Sequence, residues 1–143
     1  MEHVELLPIP PIESATDPIH SAADMCQRLR AIMGPLGFGE RLLRFCFVGP
    51  DRCLVKILSD VAIPSAPDPV LVANLLAALS DLLAEREPGA TVAFLLTRPG
   101  PGHRVSNADR RWASLVTDYA AEMGVPIEPF FRANDDSLVL VAA

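Results

Sequence analysis

Hydrophobic residues along this chain fall in runs of about six to eight, separated by polar, proline or glycine breaks. Spacing within the runs separates helix from strand. Ala22, Met25, Cys26, Leu29, Ile32 and Met33 recur at helical intervals. Ser21 with Asp24 opens this short amphipathic helix, and Gly34-Pro35 closes it. Residues 42–48 and 53–58 read as strands joined by the compact turn Gly49-Pro50-Asp51-Arg52, a β-hairpin. Pro64, Pro67 and Pro69 then break the chain, and Asp68 caps a helix that runs to about Glu87, before Pro88-Gly89. This helix is apolar on nearly every side, so it is either central or supplies an oligomer interface, for which Val72, Leu76 and Leu83 are the candidates.

Residues 90–96 form a continuous apolar run, the type found mid-sheet. After a polar loop at 97–105, Ser106 and Asp109 stand in capping-box register at the head of a helix that Gly124 ends. Residues 127–131 and 138–141 give two last strands around Asn134-Asp135-Asp136. The order α, β, β, α, β, α, β, β predicts a single α/β domain over residues 21–143. Its expected core is Phe45, Phe47, Val55, Ile57, Leu75, Leu79, Val92, Phe94, Leu96, Trp112, Leu115, Val116, Ile127, Val139 and Val141. Residues 1–20, with Pro8, Pro10, Pro11 and Pro18, are expected to be an extended or disordered arm.

With 143 residues, half of them hydrophobic, the chain suits one core. No apolar run approaches the roughly 20 residues of a membrane span, and the acidic, proline-broken start is unlike a secretion signal, so a cytoplasmic protein is expected. The net charge of −6 disfavours nucleic acid and anionic membranes as partners. Eleven arginines to one lysine, with abundant Ala and Pro, suit a GC-rich, actinobacterial type of genome. Cys26, Cys46 and Cys53 are odd in number and form no C-x-x-C pair, which favours free thiols.

The stretch from Thr91 to Val141 resembles the JAB/MPN domain of RadC-type proteins, whose cytidine-deaminase-like architecture implies a three-layer α/β domain, a mixed sheet with flanking helices. In that family a buried strand runs into H-x-H-P-x-G, followed by a Ser and an Asp at set distances, and the two His with the Asp bind zinc. Here the strand ends at Leu96-Thr97-Arg98-Pro99-Gly100, with Ser106 seven and Asp109 ten residues after Pro99, in the family spacing. Leu96 and Arg98 occupy the histidine positions, and residues 53–60 offer no match to the family's catalytic glutamate. Zinc needs three neutral or anionic donors; Leu has none, and a guanidinium repels the ion. The resemblance therefore implies a catalytically inactive JAB-like scaffold, with no cofactor, that binds an unidentified protein partner and forms a homodimer.

An alternative rests on the basic cluster. Arg98, His103, Arg104, Arg110 and Arg111 crowd into fourteen residues at a loop that feeds a helix N-terminus, where a phosphate or carboxylate can bind; Ser106 adds a hydroxyl. The plain reading is that these arginines are solvated and pair with Asp109, Asp118 or Glu122. A third reading, a metal-dependent hydrolase with an altered ligand set, enlists His103 and Asp109. Nucleotide-binding glycine loops are absent from the sequence.

Overall fold

The computed structural model describes residues 9–55 and 57–141. Five strands form one mixed sheet in the order β2-β1-β3-β4-β5, with β1 at Leu42–Val48, β2 at Ser59–Ala62, β3 at Thr91–Thr97, β4 at Phe131–Ala133 and β5 at Leu138–Leu140. Among the strands of the described residues, only β3 and β4 pair in parallel. Three α-helices flank the sheet: α1 at Ala22–Met33, α2 at Pro69–Ala84 and α3 at Asn107–Met123. None is long and apolar enough to cross a membrane.

Alternation along the strands divides the core. Leu43, Val92, Phe94 and Leu96 turn toward α2 and α3, joining Val72, Leu76, Leu79, Trp112 and Val116. Cys46, Val48, Ala93, Leu95, Phe131 and Ala133 turn the other way and meet Met25 and Leu29 of α1. Helices thus cover both faces, which is why β3 is apolar at nearly every position.

The capping signals work as the side chains dictate. Asp68 accepts from the amides of Val70 and Leu71 with Pro69 at the first helical position. Ser106 and Asp109 form a reciprocal capping box, and Gly124, at φ 71°, closes α3 in the left-handed conformation that glycine takes without strain.

Several expectations are corrected. The hairpin holds only at its tip, where Val48 bridges Leu54; the strand that pairs regularly with β1 starts later, at Ser59 opposite Phe45. From that bridge to that pair, β1 moves three residues and its neighbour five, so the second arm bulges. Ile57, expected in the core, lies there and is 66 % exposed. Lys56, in the same run, lies outside the described residues. Residues 127–131 are not a strand: Ile127 makes one bridge to Val92, and Pro129, without an amide proton, delays regular pairing until Phe131.

The arm is ordered where it is described. Ile12–Thr16 is a 3-10 helix, Ala15 and Ile19 are buried, and the Ile19 amide donates to the Arg52 carbonyl. Residues 1–8, with His3, lie outside the described residues. Val72 and Leu76, proposed as interface residues, are fully buried inside this chain, and Leu83 packs half-buried against the same core. The large apolar side chains that α2 leaves exposed are Val70 and Leu82.

Candidate functional site

The end of β3, the loop after it and the start of α3 converge on one carboxylate. Capping geometry fixes Asp109 in the first turn of α3, fully buried, with its Oδ2 accepting from the Ser106 amide at 2.9 Å. Arg98, one residue beyond β3, reaches across with both sides of its fork: Nε donates to Oδ1 at 2.8 Å and Nη2 to Oδ2 at 2.9 Å. Bidentate pairing of this kind is the strongest that a guanidinium makes. Arg98 Nη1 turns back to the Pro99 carbonyl, so its three nitrogens are all engaged.

A second guanidinium lies behind the first. Arg132, in the middle of β4, is fully buried, with Nε 3.5 Å from Asp109 Oδ2, an ion-pair distance at which Nε makes no hydrogen bond. Its Nη1 donates to Ser137 Oγ at 2.9 Å and its Nη2 to the Arg104 carbonyl at 3.0 Å. Burial pushes the Asp109 carboxyl upward, but the bonds from Arg98 and Ser106 outweigh that and hold it below the ordinary aspartate range. The hydrogen bond to Asp109 raises Arg98. Burial and then the charge of Arg98 lower both Arg132 and Arg41, against the pull of Asp109.

The β4–β5 turn clamps the loop. Asp135 Oδ2 accepts from the Gly100 amide at 3.0 Å, and Asp136 Oδ2 from the Gly102 amide at 2.6 Å. Asn134 Nδ2 donates to the carbonyls of Pro101 and Gly102, and Ser137 Oγ donates to Gly102 as well. The loop amides that an incoming anion would use at Gly100 and Gly102 therefore face carboxylates of the chain itself.

Of the residues predicted for anion binding, Arg98 and Ser106 meet at Asp109. Arg98 is turned inward onto Asp109, Ser106 is the helix cap, and His103, Arg104 and Arg110 are exposed on the loop and the first turn of α3. Arg98 does pair with Asp109 as the plain reading held, whereas Arg110 and Arg111 form no ion pair among the described residues. Sequence reasoning missed Arg132, Asn134, Asp135 and Asp136 as members of this node. The signal for Arg132 was a lone cation in the apolar stretch Phe130-Phe131-Arg132-Ala133, because a charge placed there must find a buried partner.

A zinc ion does not fit these residues. Leu96 is packed in the core, and the Arg98 guanidinium stands against the one carboxylate of the resembled ligand set. Among the described residues no group of three or more His, Cys, Asp or Glu is arranged to hold a metal. The three thiols are free, and burial pushes Cys46 up to about 12.

A second, half-buried node fixes the opposite end of β3. Arg52 Nη1 and Nη2 donate to the two oxygens of Glu128, each at 2.8 Å, Thr91 Oγ1 donates to Glu128 Oε2 at 2.6 Å, and Arg52 Nε donates to the Ile19 carbonyl. This node ties the arm to the sheet. No family model matches this chain, and neither a curated protein nor a solved structure does.

Proposed function

We propose that this domain is a metal-free relative of the JAB/MPN domain of RadC-type proteins, and that it acts as a scaffold by binding protein, including a second copy of itself. The observation that carries the reading is the Arg98–Asp109 pair, backed by Arg132. At the point where the resembled family holds its ion, both oxygens of the carboxylate already accept hydrogen bonds and two cations surround it. A dication entering there would have to displace Arg98 and sit beside Arg132, against charge repulsion in a buried setting. Kinship is supported by the Pro99, Ser106 and Asp109 spacing and by the path it takes here, a buried strand leading through a clamped loop onto a capped helix.

The anion-binding alternative is favoured less, because Arg98 is committed to Asp109, the capping box takes up the Ser106 and Asp109 amides, and Asp135 and Asp136 take up those of Gly100 and Gly102. Two measurements test the proposal. Protein purified without an affinity tag should carry substoichiometric zinc by elemental analysis, and light scattering should give about twice 15.4 kDa. One zinc per chain overturns the metal-free reading, and a mass near 15.4 kDa at micromolar concentrations overturns self-association.

A further inference from the structure

Three guanidinium groups share the field of one carboxylate, Asp109. Leu42 pairs with Thr97 across β1 and β3, so Arg41 and Arg98, the next residue on each strand, follow side by side on the face toward α3. Arg132, paired with Leu96, joins that face from β4. Like charges set opposite one another on a sheet repel, and Asp109 is the carboxylate that acts on both Arg41 and Arg132. Asp135 acts on Arg98, and Glu40 lines a separate groove with Leu42 and Arg44.

Acceptors fall short in the same place. Asp109 Oδ1 accepts from Arg98 Nε, and Oδ2 from Arg98 Nη2 and the Ser106 amide. Arg132, fully buried, keeps Nε without a hydrogen bond. Arg41 forms no ion pair among the described residues, and its Nη1 is shut off from water with no hydrogen-bond partner. A buried donor left unbonded costs its full desolvation, more so when it is charged. The cluster thus lacks negative charge and oxygen acceptors. Arg41 is partly exposed and the Arg98 side chain is 13 % exposed, whereas Asp109 and Arg132 are enclosed, so the way in from solvent passes Arg41 and Arg98.

We propose that a small oxyanion binds at this end of β3, with Arg41 Nη1 and Arg132 Nε as its donors and the Arg98–Asp109 pair as one wall. Guanidinium groups suit this chemistry, since their N–H bonds to phosphate or carboxylate oxygens are charge-assisted. The site is distinct from the exposed loop cluster of His103, Arg104 and Arg110, because its donors come from β1 and β4. It goes beyond the scaffold reading and does not depend on self-association.

Calorimetric titration and phosphorus NMR with inorganic phosphate test it, with sodium chloride holding ionic strength constant so that general screening cancels. The full chain should bind one phosphate saturably. Arg41→Gln, at a partly exposed position, should weaken binding at least about tenfold while native circular dichroism is kept. The double variant H103A/R110A should bind as wild type does. Acetate is the second probe: saturable acetate binding with the same loss in Arg41→Gln supports the site and assigns it to carboxylates. Absence of saturable binding of either anion up to about 10 mM overturns the proposal. Binding that Arg41→Gln leaves intact, or that H103A/R110A abolishes, overturns it as well and moves the anion to the loop.

Discussion

Arg98 holds Asp109 through two parallel hydrogen bonds of 2.8 and 2.9 Å, across a boundary where strand gives way to helix. The pair joins the end of β3 to the start of α3, and Arg132 extends it to β4. Removing one partner of a buried ion pair costs more than the pair contributes, because the other charge stays behind unpaired. Asp109→Ala should therefore lower unfolding free energy by about 3–5 kcal/mol, measured by urea denaturation. Exchange of Arg98 and Asp109 together for apolar residues should cost less than Asp109→Ala alone.

The two carboxylate nodes together set the response to acid. Asp109 and Glu128 both titrate below their ordinary ranges when folded, Asp109 through Arg98 and Ser106 against the rise from burial, and Glu128 through Arg52 first and then Thr91. A depressed folded pKa means that the unfolded chain takes up the proton first as pH falls. The stabilisation is thus complete above the ordinary carboxylate range of about 4 and is lost as pH drops through the folded values. Urea midpoints should hold steady from pH 7 to about 5 and fall below about pH 4.5. Glu128→Gln should flatten that fall; an unchanged slope would show that Glu128 contributes none of it.

Arg52 combines a clasp with a cost. Its side chain bonds Glu128 and the Ile19 carbonyl, while its backbone sits at φ 67°, a conformation that favours glycine. Arg52→Ala loses the clasp and keeps the strain, whereas Arg52→Gly loses the clasp and relieves it. Arg52→Gly should therefore be the more stable of the two by about 1 kcal/mol. Both should speed proteolysis between residues 12 and 20, read by mass spectrometry of timed digests.

Burial of α2 separates its core from its surface. Leu76→Ala should cost about 2–5 kcal/mol, because it empties a fully enclosed site. Val70→Ser should leave thermal unfolding of the dilute monomer within about 0.5 kcal/mol of wild type, as expected for an exposed position. Equal effects of the two substitutions would contradict this division.

Helix boundaries were legible because capping is local. Ser21, Asp68, Ser106 and Gly124 mark their helices through bonds to amides and carbonyls a few residues away. The element order and the central place of β3 followed from hydrophobic runs and their breaks, whereas the mixed sheet was what the resemblance implied. The hairpin's second arm was misjudged because 53–58 is apolar enough for a strand, and no local signal reveals that register with β1 resumes only at Ser59. For α2, near-uniform apolarity hid which face the core takes; packing against β3 and α3 decides it, drawing in Val72 and Leu76 and leaving Val70 and Leu82 outside.

Of the site, the spacing of Ser106 and Asp109 was readable as a cap, and the structure forms that cap. The partner of Asp109 was not readable in full, because Arg132 lies 23 residues further along the chain and reaches the carboxylate only through the parallel pairing of β3 with β4. Asp135 and Asp136 likewise look like ordinary turn residues until the turn is laid against the Gly100 and Gly102 amides.

Zinc titration followed by thermal unfolding tests most directly whether the Asp109 carboxylate is closed to a metal ion. A ligand that binds only the folded state raises the melting temperature further with each increase in its concentration, logarithmically once that exceeds its dissociation constant. With Arg98 and Arg132 holding that carboxylate, zinc should leave the midpoint of the wild-type protein unchanged. A dose-dependent rise in the wild type that Asp109→Asn abolishes would contradict the account.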